Sequence, residues 1–100
     1  DFSQQNLTNL VWSFSSLRIY HEKLFSAVAE QVIHRARELD SQGLSMTASA
    51  YATLGVLHRP LFEAIAAASL EIIEDFTPRD LENMVMSFAT LALNPPELFE

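Results

Sequence analysis

The chain has 100 residues, of which 49 % are apolar, a formal net charge of −7 and no cysteine. That length supports one cooperative unit with a modest core, not several independent domains. Without cysteine there is no disulfide framework or thiolate chemistry, and without a run of about 18 apolar residues there is no transmembrane helix.

Apolar spacing predicts six helices, at about 4–17, 22–38, 42–54, 60–74, 78–91 and from 96 onward. The first opens at Phe2-Ser3, with Ser3 as N-cap and Phe2 as the apolar residue before it. Leu7, Leu10, Val11, Phe14 and Leu17 then form one inward-facing stripe. After a break at 18–21, the second helix is expected to bury Leu24, Phe25, Val28, Val32 and Ala36. The third carries Leu44, Thr47, Ala48, Tyr51 and Leu54, and stops at Gly55, which can take the left-handed conformation that closes a helix. Pro60 stands at the start of the fourth, where Leu61, Phe62, Ile65, Ser69, Leu70 and Ile73 are expected to face inward. Thr77-Pro78 opens the fifth with a capping residue and then Pro at the first helical position. Its stripe is Leu81, Met84, Val85, Phe88 and Leu91, and Pro95-Pro96 precedes the sixth helix. No segment alternates with period two, which argues against strands.

The stripes are copies of one another. Displaced by 37 residues without a gap, Phe2 falls on Leu39 and Phe76, Leu7 on Leu44 and Leu81, and Leu17 on Leu54 and Leu91. Leu24 falls on Leu61 and Leu98, and Phe25 on Phe62 and Phe99. A fixed period of this length marks a solenoid, in which one supersecondary unit stacks on its copies. The expected fold is therefore all-α: an α-solenoid of stacked antiparallel helical hairpins, about 37 residues per repeat. The repeats divide as 1–38, 39–75 and a partial third, 76–100. The chain lacks an initiator Met and closes partway through a predicted helix, so it reads as an excerpt of a longer array. No basic segment followed by an apolar run suggests a signal peptide.

Little points to catalysis. His21, His34 and His58 show no metal-ligand spacing, and His21 and His58, at one repeat position, are expected to be exposed turn residues. Gly43 and Gly55 are the only glycines, so there is no phosphate loop. Ser13, Ser15 and Ser16 have no His and acid at a recognisable spacing, and Glu71, Glu74 and Asp75 are expected on a solvated face. The chain is accordingly read as a non-enzyme with no cofactor, no metal, no membrane contact and no small-molecule substrate.

The face of helix A opposite its stripe is more informative. At about 100° per residue it presents Gln5, Asn9, Trp12 and Ser16 in the first copy. The second copy presents Gln42, Met46, Ser49 and Thr53, and the third Arg79, Asn83, Met86 and Thr90. Stacked hairpins would align these as one wall of a groove. Amide and hydroxyl side chains suit base edges or peptide groups, and an aromatic ring or Arg can stack on a base. The candidate RNA-binding residues are Gln5, Asn9, Ser16, Gln42, Thr53, Arg79, Asn83 and Thr90. Trp12, Ser49 and Met86 are expected to pack between repeats instead, and Asn9 and Asn83 could equally tie neighbouring turns. Charge opposes the RNA reading. Residues 39–75 hold only Arg59 against five acids, and residues 76–100 only Arg79 against four.

Leu7-Thr8-Asn9-Leu10-Val11-Trp12-Ser13-Phe14-Ser15-Ser16-Leu17 resembles the Leu-Ala-Asn-x-x-Trp-Ala-x-Ala-x-Leu core of octotricopeptide-type repeats. So does Leu81-Glu82-Asn83-Met84-Val85-Met86-Ser87-Phe88-Ala89-Thr90-Leu91, followed by Pro96-Glu97-Leu98-Phe99. The period of 37 is also similar to the heptatricopeptide variety, which often accompanies a RAP domain in proteins related to FAST-kinase-like RNA factors. The resemblance implies a right-handed α-solenoid in a mitochondrial or plastid protein that binds single-stranded RNA. Transcript stability, processing, translation and ribosome assembly are the roles it implies. The middle copy departs from the pattern, with Met46 in place of Asn and Ser49 in place of Trp. The alternative is a protein-interaction scaffold or a structural piece of a large ribonucleoprotein.

Overall fold

In the computed structural model, which describes residues 4–93 and the side chains of residues 6–91, helix boundaries follow local capping chemistry. The elements are α1 (Gln4–Ser16), α2 (Glu22–Arg35), α3 (Ser41–Thr53), α4 (Arg59–Glu71) and α5 (Pro78–Leu93). Short 3-10 turns, Ala36–Glu38 and Ile73–Asp75, follow α2 and α4, so the segments predicted to run to 38 and 74 tighten before they end. The described residues are all helix and turn, without strand. Phe2, Ser3, Leu98, Phe99 and the sixth predicted helix lie outside the described residues.

Side chains close the orphan N–H groups at the helix starts. The Asp40 carboxylate accepts from the Gly43 N–H at 2.8 Å, and the Thr77 hydroxyl from the Asp80 N–H at 3.0 Å. His21 and His58, expected as exposed turn residues, are exposed and half-buried respectively, and both are caps as well. Their Nδ1 atoms accept from the N–H groups of Leu24 and Leu61 at 3.1 and 3.2 Å.

The ends of α1 and α3 share a Schellman closure. The N–H of Ile19 donates to the Phe14 carbonyl and that of Val56 to the Tyr51 carbonyl, both at 2.9 Å. The residue that makes this turn sits at φ 60° in Arg18 and φ 70° in Gly55. Glycine adopts this region freely, whereas an L side chain there is strained by about 1–2 kcal/mol. Arg18→Gly is therefore expected to stabilise the chain by about 0.5–1 kcal/mol, after the entropy glycine adds to the unfolded state. A urea titration should show a higher midpoint at unchanged slope.

The helices form two layers. α3 packs between α1 and α5, α4 packs beside α2, and the layers meet through α1 with α2 and α3 with α4. α3 is almost wholly enclosed. Ser45, Thr47, Ala48, Ala50 and Ala52 are buried, and their small size lets the flanking helices approach closely. Phe25, Val28, Ala29 and Val32 of α2 meet Leu61, Phe62, Ile65 and Ala68 of α4 in the same core cluster. Two aromatic contacts cross the layers, Phe25 on Tyr51 at 5.1 Å and Phe62 on Phe88 at 5.2 Å between ring centroids. The Tyr51 hydroxyl donates to the Phe25 carbonyl, and burial pushes its phenol well above the ordinary range.

Some residues expected inside are outside. Leu17 is 70 % exposed and Val85 63 %, with Leu81, Leu70 and Ile73 also open. Leu17 lies in the turn just past the end of α1, and Val85 on the flank of α5 turned away from Met84, Ser87 and Leu91. Leu70 falls on the side of α4 nearly opposite the buried arc of Leu61, Ile65 and Ala68.

Candidate nucleic-acid interface

Because neighbours cover α3 on both flanks and behind, one strip of it stays open. Gln42 and Thr53 are exposed, and Met46 and Ser49 are half-buried between them. The same helical face is open on α1 and α5, so the three helices present a common wall. A cleft of about 590 Å³ crosses that wall. It is lined by Asn9 and Trp12 from α1, Gln42 and Met46 from α3, and Arg79, Asp80 and Asn83 from α5. Four of the sequence candidates, Asn9, Gln42, Arg79 and Asn83, thus meet at one place.

A second recess of about 180 Å³ joins Thr53 and Ser49 of α3 to Asn83, Met86 and Thr90 of α5. Ser16 is exposed near the end of α1 and lines neither cleft. Gln5 belongs to α1, but its side chain lies outside the described residues.

Trp12 and Met86, expected to pack between repeats, are open instead. Trp12 is 45 % exposed and walls the larger cleft, and Met86 walls the smaller. Close approach of α1 to α3 runs through Thr8, Val11 and Ser15, which leaves no interhelical space for an indole. The helical wheel that set Trp12 opposite the apolar stripe was the better signal. Asp80, absent from the candidates, also lines the larger cleft, with Ser13 and Ser45. Its N–H is held by Thr77, and its Oδ2 accepts from the Ser41 hydroxyl at 3.2 Å, so the carboxylate is fixed at the mouth between α3 and α5.

Little of the acidic balance falls on this wall: α1 and α3 carry no charged residue, and α5 carries Arg79 against Asp80 and Glu82. Arg79 and Asp80 are the two charged residues of the larger cleft, and Arg79 is exposed and in no ion pair among the described residues. Glu63, Glu71, Glu74 and Asp75 belong to α4 and its 3-10 turn, where Glu71 pairs with Arg37 at 2.9 Å. Glu38 sits in the turn after α2, and a hydrogen bond from the Arg35 guanidinium holds its carboxyl below the usual range. Among the described residues no helix is long and apolar enough to cross a membrane, and no three His, Cys, Asp or Glu side chains group as a metal site requires.

A family model described as RESC6, RNA-editing substrate-binding complex 6 protein, matches residues 1–100. No curated protein and no solved structure matches the chain.

Proposed function

The chain belongs to the RNA-editing substrate-binding complex 6 family, and from that premise we propose that it is a solenoid segment that holds single-stranded RNA against the wall of α1, α3 and α5. The observation that carries this reading is the cleft in which Asn9, Trp12, Gln42, Arg79 and Asn83 converge from three helices. Amides and an aromatic face are the groups with which helical-repeat proteins read unpaired bases. The family's name, which concerns RNA editing and substrate binding, agrees in kind.

The solenoid part of the proposal draws support from recurrence. His21 and His58 cap helices 37 residues apart, as do Asp40 and Thr77, and Arg18 and Gly55 turn the chain at the same interval. The octotricopeptide-like blocks at Leu7–Leu17 and Leu81–Leu91 fit that register. On this reading the chain is a binding module and not an enzyme, and its compartment is the mitochondrion. Solvent-open Leu70 of α4 and Ile73 of the 3-10 turn after it favour a second, protein-facing surface on the opposite layer, as a component of an assembly would need.

Paired substitution of Gln42 and Asn83 by Ala tests the RNA reading. Both side chains are exposed, so the stability change should stay within about 0.5 kcal/mol. In a binding selection from a random RNA pool at fixed salt, the preferred sequence should change. An unchanged preference, with unchanged stability, removes these residues from the interface.

A further inference from the structure

Resting on the RNA reading above, we propose that the larger cleft is a site for one unpaired guanine base, stacked on Trp12 and recognised by the Asp80 carboxylate. The cleft's volume of about 590 Å³ lies in the range of pockets that take small molecules, about 300–1,000 Å³. Its chemistry narrows the occupant. A carboxylate only accepts hydrogen bonds and repels a phosphate, so whatever approaches Asp80 must offer N–H or O–H donors, and from a base these are N–H groups. Guanine alone among the four bases offers two adjacent donors, N1–H and the N2 amino group, on its Watson–Crick edge. Adenine and cytosine set their amino group beside an acceptor nitrogen, which a carboxylate disfavours, and uracil offers a single N–H between two carbonyls.

Asp80 is placed for this role. The Ser41 hydroxyl engages Oδ2, which leaves Oδ1 with acceptor capacity for a ligand in the cleft that Asp80 lines. The partly exposed indole of Trp12 gives a stacking surface on the same cleft. Arg79, in no ion pair among the described residues, can meet the opposite O6/N7 edge of the base and offset the acid. The carboxylate is local to this cleft, because the positions 37 and 74 residues earlier hold Gly43 and Asn6. The α1 to α3 step therefore lacks the feature that selects guanine at the α3 to α5 step.

Trp12 is the chain's single tryptophan, so its fluorescence reports this cleft alone. The experiment titrates the 100-residue chain with 3′-labelled UUGUU, UUAUU and the inosine pentamer UUIUU, following label anisotropy and Trp12 emission together. UUGUU should quench Trp12 and bind about tenfold more tightly than UUIUU, which lacks the N2 amino group, and than UUAUU. Asp80→Asn, which keeps an acceptor for Ser41, should bring the three affinities together, and its circular-dichroism melt should match that of the parent. If RNA binds with equal affinity for G and A, without quenching, or with a guanine preference that survives Asp80→Asn, the guanine site is overturned and the RNA reading stands. If no pentamer raises the anisotropy even at low salt, both are overturned.

Discussion

Phe62→Ala is expected to lower the unfolding free energy by about 3–5 kcal/mol, the usual result of removing a buried aromatic ring. Phe62 is 5 % exposed and lies edge-on to Phe88 at an interplanar angle of 71°. It belongs to α4 and Phe88 to α5, so the pair ties the rear layer to the last described helix of the wall. Truncation removes the burial of the ring and the edge-to-face attraction, and opens a cavity between α4 and α5 that rigid helices cannot close. A domain of this size is commonly stable by about 5–15 kcal/mol, so the variant should be close to unfolding in water. Urea titration monitored by circular dichroism measures the loss. A change below about 1 kcal/mol would mean that the ring is not part of the core.

Much of this architecture is legible in the chain because the cause of each element is local. The 3.6-residue spacing of Leu44, Ala48 and Tyr51 states which face of α3 is inward, and all three are fully buried. Gly55 announces the end of α3, whereas Arg18 hides the same turn, since nothing in an Arg side chain signals positive φ. The histidine caps were hidden for a related reason. His is not among the preferred N-cap residues, yet at His21 and His58 its Nδ1 reaches the N–H three residues on. Periodicity also assigns the open strip of α3 correctly, because Gln42, Met46, Ser49 and Thr53 lie opposite the stripe.

What the spacing does not contain is which flanks are covered. Leu17, Leu54 and Leu91 occupy one register, but Leu17 is exposed, Leu54 half-buried and Leu91 buried. The difference comes from what stands beside each helix, a tertiary fact that no local pattern encodes. The cleft was half legible for the same reason. Its amides were visible as a helical face, but Asp80, in the first turn of α5, lines the cleft while accepting from Ser41 of the neighbouring helix, a pairing no local pattern encodes. Net charge likewise carries no positions. The sum over the chain is −7, whereas the larger cleft on the wall carries one Arg and one Asp.

A paired substitution separates register from environment. Ala48 and Val85 lie 37 residues apart at one helical position, with Ala48 fully buried between helices and Val85 63 % exposed. Ala48→Glu places a carboxylate where α1, α5 and the rear layer leave neither water nor a cation, and the extra volume must also be accommodated. An uncompensated buried charge typically destabilises by about 3–5 kcal/mol, so this variant should be largely unfolded or survive with its carboxyl protonated. If the second outcome holds, folding should recover as pH falls, because the raised carboxyl pKa makes the folded state bind the extra proton. Val85→Glu, the same side chain at the same register, should shift stability by no more than about 0.5 kcal/mol, since its carboxylate remains in water. Urea unfolding of both variants at neutral and mildly acidic pH gives the comparison. Equal losses at the two positions would mean that both flanks of the wall are packed, contrary to the exposure of Val85. A tolerated Ala48→Glu would mean that α3 is not enclosed between α1 and α5.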